Sequence, residues 1–356
     1  MINSALLVFA VLLCLSVAYP WARWLLALPY RQQTQRPDDP ILTICLTIAL
    51  SVGMVTVIML VWAAVLQSPL SFSLVSIPAL LLHALGWWVW LRVARHLPPV
   101  NLSERVWWRS PLPLLAVGLI ALVMLGVLFD AAYWPFRDVD TLSIYAPIAL
   151  RFVHSGQLIA APTYGSYPVL VPLTFSYLHL ANGAASEYMS RFVIAALSLV
   201  SVGGAYVLGR DLFNRRAGIA AAFLFITSPI ILRWSTAAYT DLPAAAYYVL
   251  AAFFAWRLYT SPHPVYALLT GLLAALAAFS KNGALLLVGS LAGWVIYSYW
   301  ATWRTSPSMG KAISRQHILL MLIGYIPLVV FWYGHAWLAY GWVIPPTGWT
   351  DKAIRT

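Results

Sequence analysis

Charge is what this chain has least of. In 356 residues there are 21 Lys and Arg and 10 Asp and Glu, so charged side chains make up 9 % against 62 % hydrophobic and 14 % aromatic. A soluble domain carries roughly 25 % charged residues to face water. The shortage excludes a soluble enzyme, an intrinsically disordered chain and a collagen-like repeat. Cysteine is scarce too: Cys14 and Cys45 both lie inside apolar runs, which excludes a disulfide-stapled secreted module and offers no metal-site spacing. There is no glycine-rich phosphate loop, no Ser/His/Asp signature and no CxxC pair, so ATP hydrolysis is not expected. His83, His179, His317 and His335 sit in apolar stretches without metal-ligand spacing and read as hydrogen-bonded core or interface residues.

What the chain has in abundance is long apolar runs, and its mean hydropathy is +0.82. About 20 apolar residues cross a hydrocarbon core as a helix. Ten runs approach that length, at approximately 2–20, 41–66, 73–91, 111–129, 188–209, 217–233, 242–259, 265–280, 284–303 and 317–341. The first is preceded by no basic residue and ends in bulky Tyr19 and Trp21, so it reads as a retained span and not a cleaved signal. The expected fold is an all-α polytopic bundle of about ten transmembrane helices. Residues 1–110 form N-terminal spans and cytoplasmic loops, and residues 111–356 form a core with a long outer loop at 130–187.

The net charge of +11 could suggest a nucleic-acid partner, but the basic residues are scattered between apolar runs. Cytoplasmic loops accumulate Lys and Arg, and this sets orientation. With the N-terminus outside, the groups Arg23 to Arg36, Arg92 to Arg109, Arg210 to Arg216, Arg257 and Arg304 to Arg315 fall on the cytoplasmic side. Arg137, Arg151, Arg191, Arg233, Lys281, Lys352 and Arg355 fall outside, where acids nearly balance them. The surplus thus records insertion, and no nucleic-acid partner is expected.

Most connections are short. The exception runs from Asp130 to Glu187 on the outer side, and a long ordered loop at a membrane surface is usually functional. Within it Leu142, Tyr145, Ile148, Phe152 and Val153 recur at near-helical spacing over 141–155, which predicts an interfacial helix with Pro147 as a place to bend. A second apolar stretch, 169–181, is too short to span and is expected to rest on or dip into the same leaflet.

Three outer clusters carry groups capable of chemistry. In Arg137-Asp138-Val139-Asp140 two carboxylates can deprotonate a hydroxyl or hold a divalent cation, although either acid can equally cap the helix that follows. Arg233 stands near Tyr239-Thr240-Asp241-Leu242-Pro243, where Asp241 before Pro243 fits a helix N-cap. Ser280-Lys281-Asn282-Gly283 makes a tight outer turn whose lysine either snorkels to the interface or holds a phosphate. Ionisable residues beside spans are expensive, and three clusters on one side of a membrane make a functional site the default reading.

The pattern resembles the GT-C superfamily of polytopic glycosyltransferases, especially the group of protein O-mannosyltransferases and the lipid A aminoarabinose transferase. The resemblance rests on four segments. They are Asp140 through Tyr145 and Pro147 to Gly156; Tyr167-Pro168 to Pro172 with Ser190-Arg191-Phe192; Gly209-Arg210 to Gly218 with Ser228-Pro229 and Tyr239 to Pro243; and Gly271 to Gly283 with Phe331-Trp332-Tyr333 and Pro345-Pro346. Such enzymes move a sugar from a polyprenyl-phosphate carrier to an acceptor on the outer face with inversion. The resemblance implies Asp140 as the acid that positions or deprotonates the acceptor, with Asp138 assisting or binding a divalent cation. Arg233 and Lys281 would meet the donor phosphate, with Arg137, Tyr145, Tyr239, Asp241 and Asn282 lining the substrate site. Many members follow the first acid with a second, where this chain has Thr141, so the dyad is displaced to Asp138 or absent.

The implied partners are a polyprenyl-phosphate sugar donor, a lipid, glycan or protein acceptor, and membrane lipids. Members usually continue beyond the point where this chain stops, Thr356, which keeps a fragment or a non-catalytic GT-C-like subunit with a partner among the readings. A transporter of lipid-linked saccharides would need repeats and broken spans with mid-membrane polar residues, which the sequence does not display clearly.

Overall fold

In the computed structural model, residues 4–31, 36–37, 39–66, 70–101, 111–155, 167–304 and 313–340 are described. Arg105, Arg109, Lys311, Lys352, Arg355, Gly156 and the Pro345-Pro346 segment of the sequence reading lie outside them. The chain is a helical bundle, with a two-residue parallel pairing of Arg36–Pro37 with Val100–Asn101 as its only strand structure among the described residues. The helices are α1 (Ser4–Ser16), α2 (Tyr19–Ala27), α3 (Pro40–Leu66), α4 (Phe72–Ala94), α5 (Pro111–Tyr133), α6 (Ala146–Ser155) and α7 (Leu170–Asn182). They continue as α8 (Glu187–Leu212), α9 (Arg215–Thr227), α10 (Pro229–Thr236), α11 (Asp241–Thr260), α12 (Pro264–Ser280), α13 (Ala284–Arg304) and α14 (Arg315–Tyr340).

Over their described residues the ten expected runs are mainly helical, the first as α1 and α2. By length and apolarity six helices qualify as crossing a membrane: Ser4–Tyr30, Pro40–Ala63, Phe72–Ala94, Leu112–Tyr133, Glu187–Leu212 and Arg315–Leu338. The expected span at 217–233 is not one straight helix. It is α9 and α10, bent by 68° at Ser228, and together they qualify as a seventh. The cause is Pro229, which has no N–H to continue the helix and forces Ser228 into an extended backbone (φ −64°, ψ 124°).

Local sequence sets the helix ends. The Asp39 carboxylate accepts from Leu42 N–H at 3.1 Å, Ser71 Oγ from Leu74 N–H at 3.3 Å, and Asn214 Oδ1 from Ala217 N–H at 3.0 Å. Gly183 closes α7 in the left-handed region at φ 72°, where a side chain would be strained. Glycine also allows α12 and α14 to meet backbone to backbone. A Cβ on Gly271 would stand 2.0 Å from the Met321 carbonyl oxygen, and one on Gly324 would stand 2.6 Å from that of Leu268.

The core runs through α1, α3, α7, α8, α11 and α12. The outward faces of α4, α5, α13 and α14 carry large apolar side chains such as Leu81, Leu122, Ile296 and Leu338, which suit hydrocarbon and not water. At one end of the bundle Arg210 pairs with Asp39 at 2.6 Å and with Asp211 at 3.2 Å, and Asp211 also pairs with Arg257. These contacts gather the start of α3 and the ends of α8 and α11. The three clusters singled out from the sequence lie at the opposite end.

The outer loop departs from its expected shape in two ways. The stretch at 169–181 forms α7, and this helix does not rest on a surface. Nearly every residue is buried among α1, α3, α6 and α8. The expected helix at 141–155 begins with one π-turn, Thr141–Tyr145, before α6. Pro147 has no N–H for the Ser143 carbonyl and would crowd it, so a widened turn relieves both problems. The inserted residue also shifts the helix phase. Thr141, Tyr145, Ile148 and Phe152 are buried as a result, whereas Leu142, expected on the same face, is 50 % exposed.

Candidate functional site

The π-turn docks onto the turn between α10 and α11. Thr141 Oγ1 donates to the Ala237 carbonyl at 2.7 Å, the Asp140 N–H donates to the Tyr239 hydroxyl at 3.2 Å, and the Tyr145 and Thr240 hydroxyls share a bond of 3.2 Å. The receiving turn is strained, because buried Ala238 sits at φ 57°, where a Cβ is unfavourable. The Tyr239 ring packs on Trp234 (centroids 4.7 Å apart) and edge-on against Tyr145 (6.2 Å). Residues about 100 positions apart in sequence, Asp138 and Asp140 on one side and Tyr239 and Asp241 on the other, are thereby brought to one place.

The electrostatics agree with this geometry. Burial pushes the Tyr145 phenol above its ordinary range; the bond to Thr240 works against that, and the charges of Asp140 and Asp241 add to it. Tyr239 is also raised, first by burial and then by the charges of Asp140 and Asp138, against the pull of the Asp140 N–H and the Arg233 charge. Both phenols therefore remain protonated and can donate hydrogen bonds.

The other acids at this end are already committed. The Asp130 carboxylate binds Arg137 at 3.2 Å and Arg191 at 3.0 Å. Glu187 accepts from the Phe136 N–H at 3.1 Å, which fixes the start of the loop. Asp241 pairs with Lys281. Asp138 and Asp140, by contrast, make no side-chain hydrogen bond or ion pair among the described residues, and neither does the exposed guanidinium of Arg233. The expected capping roles are corrected accordingly. Asp140 already has helical backbone angles (φ −65°, ψ −35°) and its side chain caps nothing, while Asp241 is the first residue of α11, behind Thr240, and its carboxylate turns to Lys281.

Lys281 ends α12 in an extended conformation, and Asn282 Oδ1 accepts from the Tyr333 hydroxyl at 3.0 Å, which also donates to the Ala278 carbonyl at 2.9 Å. The helix α14 thus braces the Lys281-Asn282 turn. Arg137, expected to line the substrate site, is spent on Asp130 and is half exposed.

Arg191 is a residue whose importance the sequence only hinted at. Its side chain is fully buried and donates to the carbonyls of Thr236 (2.9 Å), Asp130 (3.2 Å) and Trp134 (2.6 Å), and to the Asp130 carboxylate (3.0 Å). It ties the start of α8 to the C-terminal ends of α5 and α10, where carbonyls carry partial negative charge. A lone arginine inside an apolar run was the available signal. Among the described residues no group of three His, Cys, Asp or Glu side chains is placed to hold a metal ion.

Residues 167–338, just under half of the chain, match the dolichyl-phosphate-mannose-protein mannosyltransferase family, and this stretch is a GT-C superfamily domain. It holds Arg191, Arg233, Tyr239, Asp241, Lys281 and Asn282, and the loop with Asp138 and Asp140 precedes it. No curated protein and no solved structure matches the chain. The family implies a membrane glycosyltransferase that uses a lipid-linked sugar donor.

Proposed function

We propose that this chain is an inverting glycosyltransferase that takes a sugar from a polyprenyl-phosphate donor and passes it to an acceptor on the extracytoplasmic face. The observation that supports this best is the pair of uncommitted carboxylates, Asp138 and Asp140, held by the π-turn against the Tyr239–Asp241 segment of the matched domain.

In the transfer, the acceptor hydroxyl oxygen attacks the anomeric carbon from the face opposite the phosphate. Its proton passes to the Asp140 carboxylate, the carbon–oxygen bond to phosphate breaks, and the polyprenyl phosphate leaves with the electron pair. A positioned general base is worth about 10²- to 10⁴-fold in rate. Asp138 assists in orienting the acceptor. Positive charge must meet the departing phosphate, and Arg233 and Lys281, which flank the Tyr239–Asp241 segment, are the candidates for it. Tyr145, Tyr239 and Asn282 line the site, and Asp241 holds Lys281 in place.

Asp138 and Asp140 would be the residues to hold a divalent cation, a hard ion that carboxylate oxygens suit, and when bound it would supply positive charge beside the acceptor oxygen. The acceptor is a lipid, glycan or protein, and the site faces outside with the N-terminus, in accordance with the bias of Lys and Arg toward the other end.

The test is transfer by the purified chain in proteoliposomes, with a labelled polyprenyl-phosphate sugar and crude envelope acceptor on the outer side. Label should move to acceptor with inverted anomeric configuration and without nucleotide sugar. Transfer from a nucleotide sugar in place of the lipid donor would sink the proposal.

A further inference from the structure

Near the C-terminal end of α4 an arginine is held by an aromatic ring. The Arg92 guanidinium lies over Trp88, 3.8 Å from the ring centroid, and makes no hydrogen bond or ion pair among the described residues. Arg23, on the other side of α4, is more committed: it lies over buried Trp90 at 4.7 Å and spends an N–H on the Tyr19 hydroxyl at 2.8 Å. Stacking engages the flat face of a guanidinium and leaves the N–H groups around its edge free. Trp88 therefore orients Arg92 without using its donors.

Arg92 belongs to a stripe along the outward side of α4. Ile77, Leu81, Leu85, Trp88, Arg92 and Arg95 recur three or four residues apart, so they share one side of the helix, and all six are exposed. At about 1.5 Å per residue, Ile77 to Trp88 covers about 16 Å, which is the depth of one leaflet of a ~30 Å hydrocarbon core. The two cations follow at headgroup level. The pairing of Val100–Asn101 with Arg36–Pro37 sets this end of α4 beside the start of α3. No acid lies in α4, and Asp39 and Asp211, the acids described at this end, are held by Arg210 and Arg257. A face that is apolar for the depth of one leaflet and then cationic without a counter-charge is complementary to acyl chains carrying an anionic phosphate.

We propose that this stripe of α4 binds an acidic phospholipid, its phosphate on Arg92 and Arg95 and an acyl chain along Leu85, Leu81 and Ile77. A zwitterionic lipid fits the apolar part equally well, but its own cation opposes the arginines, so selectivity belongs to the charged end. The site lies at the end of the bundle away from Asp138 and Asp140 and does not depend on the glycosyltransferase reading.

The experiment offers the full chain, in mild detergent, equal amounts of phosphatidylglycerol and phosphatidylcholine and identifies the retained lipid by native mass spectrometry. An arginine near an anionic headgroup contributes about fivefold, so the wild type should prefer phosphatidylglycerol by about tenfold or more. Arg92→Gln with Arg95→Gln changes two exposed side chains that leave no buried partner behind, and it should bring the preference to within about twofold of none. Arg151→Gln, which removes an exposed cation from α6 at the other end, should keep the wild-type preference. The site is overturned by a wild type without preference, by an unchanged preference in the double variant, or by an equal loss in Arg151→Gln, which would assign the effect to net charge. Displacement of the lipid by glycerol phosphate, which has the charge without the chains, would overturn it as well.

Discussion

Replacing Arg191 with Met should unlatch the outer end of the bundle. The guanidinium has no contact with solvent, and it satisfies three carbonyls and a carboxylate drawn from α5 and α10 and the residues after them. Removing the guanidinium should cost about 3–5 kcal/mol, because three carbonyls lose their donor while the Asp130 carboxylate keeps only its exposed partner Arg137. Asp130 offers its own control. Arg137 binds the same carboxylate with its side chain 50 % exposed, and an exposed pair is worth about 0–1 kcal/mol. At roughly 2 °C per kcal/mol for a large domain, Arg191→Met should lower the midpoint of thermal unfolding by about 6–10 °C, and Arg137→Met by no more than about 2 °C. The assay is thermal unfolding of the detergent-solubilised chain, followed by light scattering and intrinsic fluorescence. Equal effects of the two substitutions, or a loss of under about 2 °C for Arg191→Met, would refute the reasoning.

Other expectations concern packing, pH and the second ion pair. Gly271→Ala places a methyl group against the Met321 backbone and should cost about 1–3 kcal/mol, seen as a lower unfolding midpoint. The His179 imidazole in α7 accepts the Ser186 N–H and burial pulls it down to about 4, whereas the unfolded chain takes a proton near 6.5. Protonation therefore favours unfolding: stability is full above pH 6.5 and falls by roughly 3 kcal/mol as pH drops from there to about 4. Unfolding midpoints measured across that range should show the slope, and His179→Asn, which keeps an acceptor for Ser186, should flatten it. Lys281→Met breaks a pair that is about 40 % exposed on both sides, so its cost in stability should stay under about 1 kcal/mol. A larger loss in chemical unfolding would mean that the pair serves mainly to hold α11 against α12.

The helical runs and the unusual length of the outer loop could be read from the sequence, because apolarity over about 20 residues is a local property. So could the three chemical clusters, since charge in an apolar chain is conspicuous. What could not be read was which charges answer one another. Asp241 and Lys281 are 40 residues apart and Asp130 and Arg191 are 61 apart, and only packing selects these pairs. The same packing separates Asp138 and Asp140 from the acids with structural duties. The π-turn was hidden because a pattern of apolar residues assumes a constant period, and one widened turn moved Leu142 outward and Thr141 inward. The bend at Ser228 had a visible cue in Pro229, which the apolar run through 217–233 outweighed in the reading.

The central claim is that the reaction belongs to the acids the fold leaves uncommitted. The most direct measurement is single-turnover transfer from a labelled polyprenyl-phosphate sugar by Asp140→Asn, under saturating donor, beside the wild type. The substitution preserves size and the backbone N–H that holds Tyr239. The account predicts a fall in the rate of transfer of about 10²- to 10⁴-fold with donor affinity changed little. Transfer by Asp140→Asn within about tenfold of the wild type would contradict it, since a carboxylate general base carries more than that.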